Sequence, residues 1–242
     1  MTSRPRNAAR NQHELISQPE QKVIPAHRER PKGPALVRDR VFAVRRDDAT
    51  HIISEHYTYK TLPYYTILKH ELEGTPVQPV SRAILDSAVV PICLEQARLA
   101  GIPVCTWGIS QAYTPLPAIL YGLNYFATPA EYRVVNDSDE AKEAVRHITN
   151  KGKYPFCYQP LDDGAALESC VAVFGRTCRP GTEVPDLARQ VYDLFRIPLV
   201  TLVMVHDHNG YRLSSLSEAR YSHLTMDERA LLGAYLANQE FL

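Results

Sequence analysis

Two histidines flank an aspartate, His206, Asp207 and His208, in the stretch "VHDHNGYRLSSLS". Imidazole nitrogens and a carboxylate belong to the donor set of zinc, but a zinc site needs three or four ligands converging on one point. Along a strand, successive side chains take opposite faces, so His206 and His208 share one side and Asp207 the other. Only the distant His51, His56 or His223 could complete the set, and the spacing therefore predicts hairpin turn residues rather than a metal centre. Nucleophilic chemistry has no better footing: there is no Gly-x-Ser-x-Gly elbow, and the serines of "SSLSEA" lie within a strand instead of on a strand-to-helix turn. Neither glycine-rich phosphate signature occurs, and 11 glycines in 242 residues leave few places for a phosphate cradle. The adjacent carboxylates Asp162 and Asp163 read as a turn before Gly164. Cys93, Cys105, Cys157, Cys170 and Cys178 are odd in number and contain no Cys-x-x-Cys pair, which argues against a disulfide framework or a zinc knuckle. They read as reduced, buried apolar filler. Tyr57, Tyr59, Tyr64 and Tyr65 fit either a small-molecule pocket or, more commonly at that spacing, a core.

Periodicity and turn chemistry define the elements that must hold these residues. "RVFAVRR" at 40–46 predicts a first strand, continued by "THIISEHYTY". "KTLPYYTILKHELEGTPVQPV" predicts a helix: Pro63 suits a first turn, Tyr65, Leu68 and Leu72 repeat at i, i+3 and i+7, and Gly74 ends it. "SRAILDSAVVPICLEQARLAGIPVCTWGIS" carries a stripe at Leu94, Ala97 and Leu99, a capping Gly101, and a strand in "IPVCTWGI", together an α/β unit. A proline-rich loop then leads to a short strand near Tyr132 to Val135. A helix opened by Asp137, Ser138 and Asp139 follows, then a strand in "YPFCYQPL". "ESCVAVFGRTC" is a strand with a tight glycine, and "PDLARQVYDLF" a helix with Leu187, Val191 and Leu194 on one face. In "PLVTLVMVHDHNGYRLSSLS", Asn209 and Gly210 predict an antiparallel hairpin closed by a type I′ turn, with positive φ at both central positions. Thr225 and Glu228 form a capping box for the last helix.

Charge is balanced at 27 basic and 27 acidic residues, but residues 1–40 hold nine Lys or Arg against four acids. That segment is rich in Pro, Gln and Arg and lacks periodic apolar positions, so it reads as a disordered basic tail. Without aromatic interleaving it does not predict nucleic-acid binding, and Glu14, Glu20 and its prolines count against an organelle transit peptide. The sequence has no run of 18 apolar residues and no apolar signal region at its start, so no membrane span and a cytoplasmic location are expected.

Taken in order, the elements resemble the RimK-like ATP-grasp ligases. "YTYKTLPYYTILKHELEGTPVQPVSRAILDSAVVPICLEQARLAGIPVCTWGIS" is similar to their pre-ATP-grasp domain, and the chain from "KYPFCYQPLDDGAALESCVAVFGRTC" onward to their C-terminal lobe. The resemblance covers about residues 41–242 and implies an α/β fold in two parts. A pre-ATP-grasp-like α/β domain spans 41–130, and a reduced ATP-grasp-like C-terminal α+β lobe with the antiparallel hairpin spans 131–242. In active members the hairpin carries an Asp on its first strand and Glu-x-Asn on its second, which hold the magnesium ions that bridge the nucleotide phosphates. Here the second pattern falls on Ser215 and Ser217, and the first strand offers only Val203, Met204 and Val205. The glycine-rich covering segment and its lysines are expected to be missing, because few residues separate "WGIS" from "YPFCYQPL". The resemblance therefore implies a catalytically silent accessory or regulatory protein, without cofactor, beside a peptide or amino-acid ligase as partner. It leaves open an active ATP- and magnesium-dependent carboxylate-amine ligase using Asp207 and Glu218, and a small-molecule binding module. It implies Gln159, Arg176, Ser215, Ser217 and Glu218 as the residues facing a ligand.

Overall fold

In the computed structural model, which describes residues 35–124 and 127–237, β1 (Phe42–Arg46) and β2 (Ala49–Ile53) pair antiparallel around Asp47 and Asp48. Both turn residues have positive φ, 48° and 62°, which is the signature of a type I′ turn. Of the expected tail, residues 1–34 lie outside the described residues. Residues 35–40 form a turn, fixed where the Asp39 N–H donates to Glu55 Oε2 at 2.8 Å. On β2, His51 is buried against Phe174, with ring centroids 5.3 Å apart, and neither ring nitrogen has a hydrogen-bond partner. Burial first, and Arg46 second, push its pKa down.

The helix α1 (Leu62–Leu72) ends at Gly74 in a Schellman motif: Thr75 N–H donates to His70 O and Gly74 N–H to Glu71 O. Its buried face is not the expected one. Tyr64 and Ile67 pack inward, whereas Tyr65 is 54% and Leu72 88% exposed. Both faces carry apolar residues, so spacing alone could not choose between them. The short β3 (Val77–Gln78) joins β2 in parallel. The helix expected over "SRAILDSAVVPICLEQARL" is two, α2 (Ser81–Ala88) and α3 (Val90–Leu99), broken at Val89 in an extended conformation. Pro91 has no N–H, and its ring would meet the carbonyl four residues back, so one helix cannot run through it. Leu94 and Ala97 are buried as expected, but Leu99 faces solvent, and Val90 and Cys93 complete the buried side. Gly101 ends α3 in the same motif as Gly74, with Ile102 N–H donating to Ala97 O.

The strand expected in "IPVCTWGI" shrinks to an edge contact. Pro103 to Cys105 run beside Leu213, with Leu213 N–H donating to Pro103 O and Cys105 N–H to Leu213 O, both at 2.9 Å. Regular pairing begins at β4 (Gly108–Ser110), followed by β5 (Ala118–Gly122), β6 (Arg133–Val135), α4 (Ser138–Ile148) and β7 (Phe156–Pro160). These strands form an antiparallel sheet in the order β4-β7-β5-β6. The interval between "WGIS" and "YPFCYQPL" thus supplies β5, β6 and α4, and the strands on either side of it complete the sheet. The sequence division at 130/131 falls between β5 and β6, which pair with each other. Asp137 caps α4, its Oδ1 accepting from the N–H groups of Asp139 and Glu140. The sheet alternates with period two: Ala118, Leu120 and Phe156 pack with Ala141 and Ile148 of α4, while Ile119, Tyr121 and Cys157 join the main core on the other face.

The third sheet, ordered β10-β9-β8, is built from β8 (Ala166–Val173), β9 (Leu199–Asp207) and β10 (Gly210–Ser217), with α5 (Glu183–Phe195) between β8 and β9. Phe174 and Gly175, φ 50° and 72°, turn the chain out of β8, and a Cβ on Gly175 would come within 2.8 Å of Tyr192 Cβ. The β9–β10 hairpin forms where expected, but its turn type differs. Asp207 pairs with Gly210, so His208 and Asn209 are the central residues, and only Gly210 has positive φ, 92°. The Asp207 carboxylate accepts from Asn209 N–H at 2.8 Å, which favours an Asx-type turn over type I′. Ser214 is an extra residue in β10, a bulge between Leu213 and Ser215. α6 (Met226–Leu236) carries the expected capping box, Thr225 Oγ1 accepting from Glu228 N–H and Glu228 Oε2 from Thr225 N–H. Among the described residues no helix is long and apolar enough to cross a membrane.

Candidate functional site

The bulge in β10 decides what the hairpin presents to its neighbours. Strand alternation would send Ser214 and Ser215 to opposite faces, but with the extra residue the run Leu213, Ser214, Ser215 and Leu216 is buried throughout. Ser214 meets the inner face of the four-stranded sheet. Its Oγ donates to Gln159 Oε1 at 2.6 Å, and Gln159 Nε2 returns a bond to Ser214 O at 2.8 Å. A serine hydroxyl has one hydrogen, so the 2.7 Å contact with Tyr121 is donated by the tyrosine. Burial pushes the Tyr121 phenol above its ordinary range, which keeps it the donor. Tyr121, Gln159 and Ser214 thus tie the two sheets through a closed polar network with almost no solvent contact. The neighbouring Ser215 Oγ is fully buried and has no hydrogen-bond partner among the described residues.

The base of the same hairpin is different. Ser217 and Glu218 reach a cavity of about 520 Å³ between the segment after β2, α2, the start of β9 and the end of β10. Its walls are mostly apolar, with Ile84, Leu85, Leu199 and Leu216 among them, and Tyr57 and Tyr59 join from the tyrosine group noted in the sequence. Tyr64 instead lies in the core and Tyr65 at the surface. Thr58 Oγ1 donates to Glu218 Oε1 at 3.3 Å.

The five residues implied by the resemblance therefore separate into three settings. Gln159 and Ser215 lie in the dry contact between sheets, Ser217 and Glu218 at the cavity, and Arg176 is exposed beyond the Phe174–Gly175 turn, where its backbone closes on Val173. Sequence reasoning missed Tyr121 and Ser214. Their partners lie 93 and 55 residues away, and no local signal marks either residue.

At the hairpin tip, His206 is exposed and stacks on Tyr211, with centroids 4.4 Å apart, while Asp207 turns to the other side and pairs with Arg212. The Asn209 N–H, and then Arg212, hold the Asp207 carboxyl below its usual range, against the opposing effect of burial. Four of the cysteines are buried, and burial lifts the Cys93, Cys105 and Cys157 thiols to about 12 and that of Cys170 to about 11, so none is a ready nucleophile. Cys178 is exposed.

Magnesium requires anionic oxygens. Where the resemblance puts carboxylates, the hairpin has buried Val203, Met204 and Val205 on β9 and hydroxyls at Ser215 and Ser217 on β10. Asp207 and Glu218 lie at opposite ends of the hairpin, roughly 25 Å apart at a strand rise of ~3.3 Å per residue, so they cannot share an ion. Among the described residues no group of three or more His, Cys, Asp or Glu could hold a metal. The donors at the hairpin do not fit a magnesium ion that bridges phosphates.

No family model and no curated protein matches this sequence. Solved structures do match in fold. The RimK-domain ATP-grasp protein of Sphaerobacter thermophilus superposes with a TM-score of 0.52 at 15% identity, over 72% of this chain and 77% of that one. D-alanine–D-alanine ligase from Helicobacter pylori gives 0.53 at 15% identity, over 72% of this chain and 65% of that one. The Bacillus anthracis enzyme, in a complex with ATP, gives 0.53 at 11% identity over 72% of each chain. This chain shares its fold with these ATP-grasp structures.

Proposed function

We propose that this chain is a non-catalytic relative of the ATP-grasp ligases, acting as an accessory or regulatory protein beside an active peptide or amino-acid ligase. The observation that carries the reading is the Tyr121–Ser214–Gln159 network. Of the positions where relatives are expected to meet nucleotide or substrate, Gln159 is spent on this dry contact and Ser215 is fully buried beside it. A triphosphate would have to break three buried hydrogen bonds to enter there, and each buried donor or acceptor left unpaired costs about 1–3 kcal/mol. The neutral donors at Ser215 and Ser217 add no compensating grip on a counterion.

Isothermal titration of the full chain with ATP and magnesium checks the nucleotide half of the proposal. The expected outcome is no heat of binding up to millimolar ATP. A micromolar isotherm would instead support an ATP- and magnesium-dependent ligase with unusual ligands. For the accessory half, the measurement is a pull-down from the native host, and an ATP-grasp ligase is expected among the recovered proteins.

A further inference from the structure

We propose that the cavity at the base of the β9–β10 hairpin is a binding site for a small organic amine: a protonated nitrogen on an aromatic or branched apolar body. The inference rests on which polar groups around the cavity are already committed. The Tyr57 hydroxyl donates to Ile52 O at 3.0 Å and accepts from Ser54 N–H at 3.1 Å, so the cavity meets only its ring. Glu55 is also committed, accepting from Asp39 N–H at 2.8 Å and from Tyr221 N–H at 2.5 Å. The Ser87 hydroxyl donates back to Ile84 O at 2.9 Å within its own helix. His56 Nδ1 faces the Asp39 carboxylate at 4.0 Å.

Glu218 remains. Thr58 occupies one carboxylate oxygen, and no described lysine, arginine or histidine forms an ion pair with this residue. A half-buried carboxylate beside apolar walls is electrostatically incomplete, and a cation placed there gains a charge-assisted bond. The space of about 520 Å³ falls within the range of small-molecule sites, and its lining has the composition of one, mostly apolar with a few polar groups that fix orientation. An alcohol would lose the charge term, and a carboxylate would be repelled.

The two readings rest on different observations, the amine site on Glu218 and the cavity at the base of the hairpin, the nucleotide reading on the Tyr121 network along its middle. The two proposals can therefore fail separately. The test is an NMR titration of the full chain with 2-phenylethylamine, 2-phenylethanol and 3-phenylpropanoate, beside the ATP titration on the same preparation. The amine is expected to bind about tenfold more tightly than the alcohol, with the carboxylate weaker than both. Glu218→Gln should bring the amine to within about threefold of the alcohol and leave the alcohol unchanged. Ala88→Trp, at the rim of the cavity, should weaken both about tenfold while the melting temperature holds. Equal affinity of amine and alcohol, a preference that survives Glu218→Gln, binding that survives Ala88→Trp, or no binding of any of the three overturns the proposal. ATP binding alone would overturn only the non-catalytic reading.

Discussion

The middle and the base of one hairpin, about three residues apart on β10, solve opposite problems. At the middle, Ser214 meets Gln159 and Tyr121, and every polar atom of the three-residue contact is answered by the protein itself. At the base, Glu218 has one weak partner and open space of about 520 Å³ beside it. A polar network that is fully satisfied holds two sheets together and excludes ligands; a charged group left incomplete beside an apolar cavity invites one. The likeness to the ATP-grasp structures is one of fold, and a fold by itself does not fix the chemistry of a site.

The most disruptive change to this contrast is Ser215→Glu. A carboxylate there would be buried with no cation in reach, at a cost on the order of 3–5 kcal/mol in urea unfolding, and without gaining magnesium affinity. A glutamate tolerated at wild-type stability, with magnesium bound, would erase the distinction between middle and base. Gln159→Leu takes away the acceptor of the Ser214 hydroxyl and the donor to its carbonyl, leaving the hydroxyl only its bond from Tyr121, and a loss of about 2–4 kcal/mol is expected by the same measurement. Tyr121→Phe removes a single bond and leaves Ser214 its partner on the other side, so a loss of about 1 kcal/mol is expected. Ser215→Ala removes a hydroxyl that has no partner, and the change should stay within about 0.5 kcal/mol in either direction. If Ser215→Ala proves as costly as Gln159→Leu, Ser215 belongs to the network and the contact is larger than drawn.

Much of the frame was legible because its signals are local. Gly74 and Gly101 end helices since the left-handed residue after the last turn favours glycine, and Thr225 with Glu228 announces α6 within four residues. The buried face of α1 was not legible, because Tyr64 and Ile67 compete with Tyr65 and Leu72 for the core and only the tertiary partners decide. The type I′ turn was sought at Asn209–Gly210, where the Asp207 side chain instead captures a backbone N–H. Two such turns occur at Asp47–Asp48 and Phe174–Gly175, pairs of which neither is the Asn-Gly signal. Of the four-stranded sheet, β6 and β7 were legible, but β5 lies in the stretch that reads as a proline-rich loop, because a five-residue strand beside prolines carries little periodicity. Of the candidate site, the hydroxyls of Ser215 and Ser217 could be read directly, with the carboxylates they would replace implied only by the resemblance. The bulge that turns Ser214 toward Gln159 could not, since it depends on register against β9.

The buried ring of His51 sets a limit on the acid tolerance of the whole molecule. Enclosed beside Phe174, with Arg46 and Arg196 disfavouring a positive charge and Asp47 favouring it, the imidazole takes up a proton less readily in the folded chain than its usual 6.5. The unfolded chain binds that proton near pH 6.5, so the ring's contribution to stability is intact above this value and shrinks as the solution becomes more acidic. Thermal melts between pH 8 and pH 5 should fall more steeply for the wild type than for His51→Leu, which has no proton to accommodate.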